Sequence, residues 1–413
     1  MDSFTSVRDL VDGFANAMNL INPEVQNHHE KVAYLAYQLA DQMGLDEQLK
    51  RLTYYGALTH DIGSVMKGQN LSLMDLEMDA KRLAQSSALL LRMFPFTNPF
   101  SDVVQNSQTP WQKLMALSTK FKNTYAIGQI IHMADAVSLM LNDREPVLNQ
   151  LAAIKYTFEE RSDAEFSPDV VQAFEGLCQR ESVWMDLLYN SERFLEMIPS
   201  ERWLTLDDTI RFTEFMSKII DFRSPFTAMH SAGVAAAAVC LAERMGMSED
   251  ECKMMRIAGN LHDVGKMKIP NAILEKPGKL TDEEFNIMKE HTYYTYMILR
   301  DIRGFEQISK WAAFHHEKLT GAGYPFHLSA AEIPLGSRIM AVADIFSAIT
   351  GDRPYRKGME KEKVISILRG DAAKGLISGR IVETLVGDFD AINAVRERES
   401  IAASRKYQET LKG

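Results

Sequence analysis

An internal repeat is the feature that most constrains what this chain can fold into. The segment "NPEVQNHHEKVAYLAYQLADQMG" (22–44) matches "SPFTAMHSAGVAAAAVCLAERMG" (224–246) at a separation of 202 positions. This alignment places His28 on His230, and both segments have apolar residues at helical spacing. Two copies of one helical domain are the simplest explanation of the match.

Two further matches extend the repeat beyond its first helix. The same separation carries "LTHDIG" (58–63) onto "NLHDVG" (260–265), and a small shift brings Asp135 onto Asp344. The two copies are expected to meet near residues 195–205, around "MIPSERWL". The predicted domains are residues 1–200 and 201–413.

The local sequence is helical nearly throughout. Ser248 with Glu251, and Thr281 with Glu284, form capping-box patterns ahead of apolar stripes. No run of alternating β-branched residues predicts a strand. We therefore predict an all-α protein.

Composition limits the partners and the setting of the chain. A net charge of −10 over 413 residues argues against long nucleic acid as a partner, but not against a small anionic substrate. The N-terminus "MDSFTSVRDL" does not have the order of a signal peptide, and the longest apolar run (232–242) is too short to span a bilayer. Three cysteines without paired spacing favour a reducing setting. We expect a cytoplasmic protein that does not bind membranes.

Metal-ligating residue types recur in order along the second copy. Five imidazoles and two carboxylates combine borderline nitrogen and hard oxygen donors, which suit iron, manganese or zinc. Each His-Asp or His-His pair alone is common in proteins without a metal, so the prediction depends on their occurrence together. The candidate ligands are His230, His262, Asp263, His291, His315, His316 and Asp344.

Several motifs of the second copy closely resemble one family. They are "LHDVGKMKIP", "EKPGKLTDEEFNIMKEH", "HHEKLTGAGYP", "RIMAVADIFSAIT" and "DRPYRKG", within about residues 222–360. Together they are similar to the HD-GYP family of cyclic-dinucleotide phosphodiesterases. The resemblance implies two tandem HD-type helical domains, of which residues 201–413 would be catalytic and 1–200 regulatory or structural.

The resemblance also implies a centre of two divalent ions, iron or manganese first, with zinc or nickel as alternatives. One ion would take His230, His262, Asp263 and Asp344. The other would share Asp263 and add His291, His315 and His316. A third ion is not expected, because Phe226 stands where some family members have a glutamate.

Catalysis would then combine the ions with nearby cations. Asp263 would bridge the ions, which would supply a hydroxide nucleophile at neutral pH, and Lys266 would stabilise phosphoryl charge. Arg353 and Arg356 match family positions that contact the substrate, and guanidinium suits phosphate. The loop "GAGYP" (321–325) is expected to border the site and to contact substrate or a protein partner.

The first copy keeps only part of this array. It retains His28, His60, Asp61 and Asp135, but has no counterpart of His291 or of His315-His316, and Ser64 stands in place of Lys266. We expect no diesterase activity from it. Its remaining residues are interpreted either as a one-metal site, to which Glu24 would add a ligand, or as relics that form hydrogen bonds between helices, and the relic interpretation is favoured.

Three functions remain open at this point. The leading one is hydrolysis of a cyclic dinucleotide, either 3′,3′-cyclic GMP-AMP or cyclic di-GMP, because the tandem arrangement is similar to family members of Vibrio that act on the former. The alternatives are a generic HD phosphohydrolase of linear nucleotides and a signalling scaffold that binds a cyclic dinucleotide without cleaving it. The sequence leaves the oligomeric state and the preferred messenger open.

Overall fold

The structure is a computed structural model, and the residues that it describes are mainly helical, with one short strand pair. It describes residues 3–19, 27–67, 73–116, 122–142, 144–189, 198, 202–221, 225–351 and 357–410. Strands β1 (Thr5–Ser6) and β2 (Trp203–Leu204) pair antiparallel. The prediction of an all-α fold is confirmed, with this pair as a minor addition.

The described helices are α1 (Val7–Asn19), α2 (His28–Gln42), α3 (Glu47–Leu58), α4 (Leu73–Arg92), α5 (Asn98–Asn106), α6 (Trp111–Met115), α7 (Lys122–Met140), α8 (Val147–Glu160), α9 (Pro168–Cys178), α10 (Glu181–Tyr189), α11 (Leu206–Asp221), α12 (Pro225–Arg244), α13 (Glu249–Leu261), α14 (Asn271–Leu274), α15 (Asp282–Arg300), α16 (Glu306–Ala313), α17 (Leu335–Thr350), α18 (Lys361–Ala373), α19 (Gly379–Gly387) and α20 (Phe389–Thr410). Single 3₁₀ helices follow α3, α13 and α16, at Ile62–Lys67, Val264–Lys268 and Phe314–His316.

The chain divides into two compact units. The first unit is Met18–Glu201, and the second unit joins Met1–Ala17 to Arg202–Gly413. The N-terminal segment belongs to the second unit, where the Phe4 ring lies 6.1 Å from that of Phe305. The predicted boundary at residue 200 places this segment in the first domain instead. The sequence repeat begins only at residue 22, so it carries no information about the residues before it.

In the second unit, α12 lies at the centre and packs against α11, α13, α17 and α20. Its middle is rich in alanine, and small side chains let neighbouring helices approach closely. At Gly259 of α13, an added Cβ would lie 2.4 Å from Ala235 Cα. This close approach brings the end of α13 against α12, where the candidate ligands begin.

Capping fixes where α13 and α15 begin. The side chain of Ser248 accepts from Glu251 N, and Thr281 accepts from Glu284 N, with the glutamates bonding back to complete both boxes. Both predicted capping boxes are confirmed. They fix the N-terminal ends of α13, which leads to His262 and Asp263, and of α15, which carries His291.

The first unit repeats the central packing of the second. Helix α2 packs against α3, α7 and α9, and α3 also packs against α7. The trio α2, α3 and α7 corresponds in order to α12, α13 and α17, which carry matched candidate ligands. None of the helices in the described residues combines the length and the apolar content that crossing a bilayer requires.

We expect Gly259→Ala to lower the free energy of unfolding by about 1–3 kcal/mol, because the new methyl would overpack the contact with Ala235. Gly370→Ala in α18 is the matched control, since nothing lies within 4 Å of its added Cβ. That variant should be stabilised by roughly 0.5–1 kcal/mol through helix propensity. Urea denaturation followed by circular dichroism measures both. Equal effects of the two substitutions would contradict the packing argument.

Candidate metal centre

The structure brings the seven predicted ligands of the second unit together. They come from α12 (His230), the turn after α13 (His262, Asp263), α15 (His291), the 3₁₀ helix after α16 (His315, His316) and α17 (Asp344). Their ligand atoms form three overlapping groups, each with all atoms within 4.8 Å of one another. The groups are His230, His262 and Asp344; His262, Asp263 and His315; and His291, His315 and His316.

Asp263 lies between the two outer groups. Its Oδ2 is 3.2 Å from His262 Nε2, and its Oδ1 is 3.5 Å from His291 Nε2. Each carboxylate oxygen therefore faces a different imidazole. This is the arrangement that an aspartate shared by two ions would need.

Hydrogen bonds to backbone carbonyls orient three of the imidazoles. The Nδ1–H groups of His262, His291 and His315 donate to carbonyls three residues earlier, over 2.8, 2.6 and 2.6 Å. A carbonyl only accepts, so each neutral ring carries its proton on Nδ1 and leaves the Nε2 lone pair free. The Nε2 atoms of these rings are thereby available as ligands.

Buried atoms without partners show that the centre fits metal ions. His262 Nε2, His291 Nε2 and Asp263 Oδ1 are buried and have no hydrogen-bond partner. Leaving such an atom unsatisfied costs about 1–3 kcal/mol. Here the unsatisfied atoms are lone pairs that face one another, and a bound cation satisfies all of them at once. The donor set of imidazoles and carboxylates suits iron, manganese or zinc.

The electrostatics keep His291, His315 and Asp263 in their metal-binding protonation states, whereas for His262 burial acts to lower the pKa but Asp263 outweighs it and raises the pKa. Burial lowers the pKa of His315 to about 3 and that of His291 to about 4, so both rings are neutral. For Asp263, burial acts to raise the pKa, but His262 and Lys266 outweigh it and hold the pKa well below its usual range. Neutral imidazole and ionised carboxylate are the forms that bind a metal.

The predicted substrate contacts are only partly within the described residues. Lys266 lies in the 3₁₀ helix after α13, and its Nζ is 2.5 Å from Asp263 Oδ2. It therefore lies beside the carboxylate that links the two ligand groups. Arg353 and Arg356 lie outside the described residues, and so does the side chain of Phe226.

The glycine-rich loop after His316 is held by a residue that the sequence argument missed. Glu317 is 3% exposed, and its carboxylate accepts from Phe326 N at 2.8 Å and from Leu328 N at 3.1 Å. Gly323 allows this fold-back, since a Cβ there would lie 2.3 Å from Lys318 N. Glu317 directly follows the histidine pair, which was the signal that could have identified it.

Tyr324 connects the same loop to the metal centre. Its ring lies 5.0 Å from the ring of His316, and its amide donates to the His316 carbonyl at 3.4 Å. The loop and one predicted ligand are therefore in direct contact. This agrees with the expectation that the loop borders the site.

The matched residues of the first unit also come together. His28 Nε2 is 3.2 Å from Asp135 Oδ1, and His60 Nε2 is 3.2 Å from Asp61 Oδ2. His28, His60 and Asp61 form a further group with ligand atoms within 4.8 Å of one another. Glu24, the other candidate there, lies outside the described residues.

The fold and the ligand array define an HD-domain protein, and residues 214–380 match the HD domain family. The chain belongs to the HD-GYP family of cyclic-dinucleotide phosphodiesterases. It is 30% identical over 386 residues to the 3′3′-cGAMP-specific phosphodiesterase 1 of Vibrio cholerae, covering 90% of this chain and 89% of that protein. The resemblance stated from the motifs is confirmed.

Two further comparisons describe the range of the similarity. The chain is 34% identical over 192 residues to the cyclic di-GMP phosphodiesterase response regulator RpfG of Xanthomonas campestris, covering 46% of this chain and 50% of that protein. The crystal structure of V-cGAP3, a cyclic GMP-AMP-specific phosphodiesterase of Vibrio cholerae, matches with a TM-score of 0.67 and 22% identity. That match covers 94% of this chain and 98% of the other, and it shows a shared fold.

We expect Glu317→Gln to loosen the loop, because an amide offers one acceptor oxygen where the carboxylate offers two. One backbone N–H would lose its partner, at about 1–3 kcal/mol of local stability. Hydrogen–deuterium exchange of residues 321–334 should therefore accelerate about tenfold or more, since 1.4 kcal/mol is a factor of ten.

Glu332→Gln is the matched control for this experiment. Glu332 accepts from Ser329 N at 2.9 Å within the same loop, but it is exposed to water. Water can replace that bond, so exchange should change little. Equal acceleration in the two variants would show that Glu317 has no special role in the loop.

Proposed function

We propose that this chain hydrolyses a 3′–5′ phosphodiester bond of a bacterial cyclic dinucleotide and releases a linear dinucleotide. One observation carries the proposal: the two oxygens of Asp263 face two different buried imidazoles, His262 and His291, in a chain that belongs to this enzyme family. A centre of this kind suits attack on a phosphodiester, where charge develops on both the entering and the leaving oxygen.

The cofactors we propose are two divalent ions, iron or manganese, with zinc or nickel as alternatives. His230, His262, Asp263 and Asp344 would hold one ion, and His291, His315 and His316 would hold the other together with Asp263. When bound, the ions would supply a hydroxide nucleophile at neutral pH and offset charge on the phosphoryl oxygens.

The chain's own residues supply orientation and charge. The carbonyl bonds to Nδ1 keep the Nε2 atoms of His262, His291 and His315 directed at the centre. The Lys266 ammonium, beside Asp263, offers a cation to a phosphoryl oxygen. Arg353 and Arg356 remain the proposed contacts for the rest of the dinucleotide, by their match to the family motif.

The preferred messenger that we propose is 3′,3′-cyclic GMP-AMP, with cyclic di-GMP as the second candidate. The first is favoured because the relative that matches along both copies is named for that substrate. The second is kept because the relatives that match about half of the chain include one named for cyclic di-GMP. We also propose the cytoplasm as the setting, since Cys178, Cys240 and Cys252 are free thiols.

The Gly-Tyr-Pro loop is the surface that we propose for a protein partner. Glu317 fixes its backbone from inside, while Ala322 and His327 are exposed to solvent. A loop that is held from within can present an exposed edge without loss of its conformation.

Product analysis with both messengers tests the proposed activity. The protein would be reconstituted anaerobically with Fe(II) or Mn(II), and products would be separated by chromatography. We expect a linear dinucleotide from 3′,3′-cyclic GMP-AMP, and a slower reaction or none with cyclic di-GMP. Turnover of linear nucleotides alone would replace the proposal with a generic HD phosphohydrolase. No turnover with both ions bound would favour a binding scaffold.

Asp263→Ala tests the role of the shared carboxylate. It should lower kcat by at least about 100-fold, since even indirect contacts to a metal ligand contribute 10–100-fold. Bound metal, measured by mass spectrometry, should fall as well. Asp250→Ala, which removes an exposed carboxylate at the other end of α13, is the control and should retain full activity. Wild-type turnover in Asp263→Ala would contradict the proposal.

Lys266→Ala separates phosphate contact from metal binding. Loss of a hydrogen bond to a charged group is worth about 1.5–3 kcal/mol, so kcat/KM should fall by roughly 10–100-fold. Metal content should stay at the wild-type level. Lys268→Ala, on the same 3₁₀ helix, is the matched control. A fall in metal content with unchanged turnover per bound metal would show that Lys266 instead acts by holding Asp263.

A further inference from the structure

Five side chains of the first unit form a second buried cluster of potential ligands. This first-unit cluster consists of His28, His29, His60, Asp61 and Asp135. His28 and His29 begin α2, His60 and Asp61 lie in the turn after α3, and Asp135 lies in α7. We propose that the cluster holds one divalent transition-metal ion of its own, with His29 as a ligand that the second unit does not have.

The contacts of His60 call for a cation inside the cluster. Its Nδ1–H donates to the Ala57 carbonyl at 2.7 Å, so Nε2 of the neutral ring is a lone pair. That lone pair lies 3.2 Å from Asp61 Oδ2 and 3.6 Å from Asp135 Oδ1. Two acceptors repel each other at this distance unless a proton or a metal ion lies between them.

His29 adds an imidazole whose orientation is fixed from behind. The Asn19 amide group donates to both carboxylate oxygens of Glu30, at 2.7 and 2.9 Å, which leaves its carbonyl oxygen facing His29 Nδ1 at 2.9 Å. His29 therefore donates from Nδ1 and keeps a free Nε2. His29 is 5% exposed, and its ring lies 5.8 Å from the rings of both His28 and His60.

Unpartnered nitrogens favour a metal site over the relic interpretation. Relics that form hydrogen bonds between helices should have their ring nitrogens engaged. Instead, Nε2 of His28, His29 and His60 are all buried without a hydrogen-bond partner. His28, His60 and Asp61 have ligand atoms within 4.8 Å of one another, so one ion would satisfy them together, whereas one proton would satisfy only one pair. The His29 ring, next to both histidine rings, would turn its Nε2 to the same ion. Imidazoles with carboxylates suit manganese, iron or zinc.

The packing of α4 explains why this cluster would hold a single ion. Gly63 N donates to Ser87 Oγ of α4, as Gly265 N donates to Thr295 Oγ1 of α15. Four residues before Thr295 is the ligand His291, and four residues before Ser87 is buried Leu83. Leu83 thus occupies the position that corresponds to His291, the proposed ligand of the second ion in the second unit.

Metal content of the full chain tests this site separately from catalysis. The background variant would carry His262→Ala and Asp263→Ala, with folding checked by circular dichroism. We expect the background to bind Co(II) with a ligand-field spectrum, and a further Asp135→Asn to weaken that binding by at least tenfold. His132→Gln, a buried histidine of α7 outside the cluster, is the matched control.

Two smaller changes test His29 itself. His29→Ser installs the residue that the second copy carries at the matching position, Ser231, and should alter the Co(II) spectrum and weaken binding. Asn19→Ala should weaken binding by about 10–100-fold through lost orientation of the ring.

Two results would overturn the inference. A folded background whose Co(II) affinity responds equally to Asp135→Asn and His132→Gln would remove the metal site and leave a proton in the cluster. An unchanged spectrum in His29→Ser would remove His29 from the ligand set. Neither result depends on hydrolysis of a cyclic dinucleotide, so the proposed activity stands or fails independently.

Discussion

One hydrogen bond, from a histidine Nδ1–H to the carbonyl three residues earlier, determines how both clusters are built. It occurs at His60, His262, His291 and His315. Three of these histidines lie at or just beyond a helix end, where the last carbonyls lack partners within the helix. The ring satisfies such a carbonyl and, by the same bond, turns its other nitrogen toward the centre. The same hydrogen bond therefore satisfies the helix end and orients the ligand.

The helical frame behind this bond is used twice. In each unit, a hydroxyl on the following helix accepts from the glycine after the His-Asp pair, Ser87 for Gly63 and Thr295 for Gly265. An added Cβ at Gly265 would lie 2.0 Å from the His291 carbonyl, so only glycine allows α15 to come this close. The two units differ in their potential ligands. The second unit adds the imidazoles of His291, His315 and His316, and the first unit adds His29.

Much of this organisation could be predicted from the sequence, for physical reasons that are local. Capping boxes at Ser248 and Thr281 involve neighbouring residues and can be recognised by spacing alone. The equivalence of Leu83 and His291 could not be recognised, because it depends on where α4 and α15 pack against the His-Asp turn. The position of the N-terminal segment depends on backbone pairing between two strands of two residues each. Strands this short have no side-chain pattern from which they could be predicted.

His29 was overlooked for a related reason. The repeat aligns it with Ser231, so comparison between the copies directs attention to His28 and away from its neighbour. Its significance appears only through Asn19, whose amide orientation is determined by Glu30. A residue that lacks a counterpart in a repeat is therefore a place to look for chemistry that the two copies do not share.

The link between ligand and loop in the second unit follows from chain continuity. His316 and Glu317 are adjacent, so the residue that fixes the loop shares a peptide unit with a predicted metal ligand. Tyr324 returns to the ring of His316, which closes the loop upon the site it borders. A shift of His316 would therefore displace the carboxylate that holds Phe326 and Leu328. Because the two amides bonded to the buried Glu317 carboxylate resist such a shift, the loop stabilises the ligand as much as the ligand positions the loop.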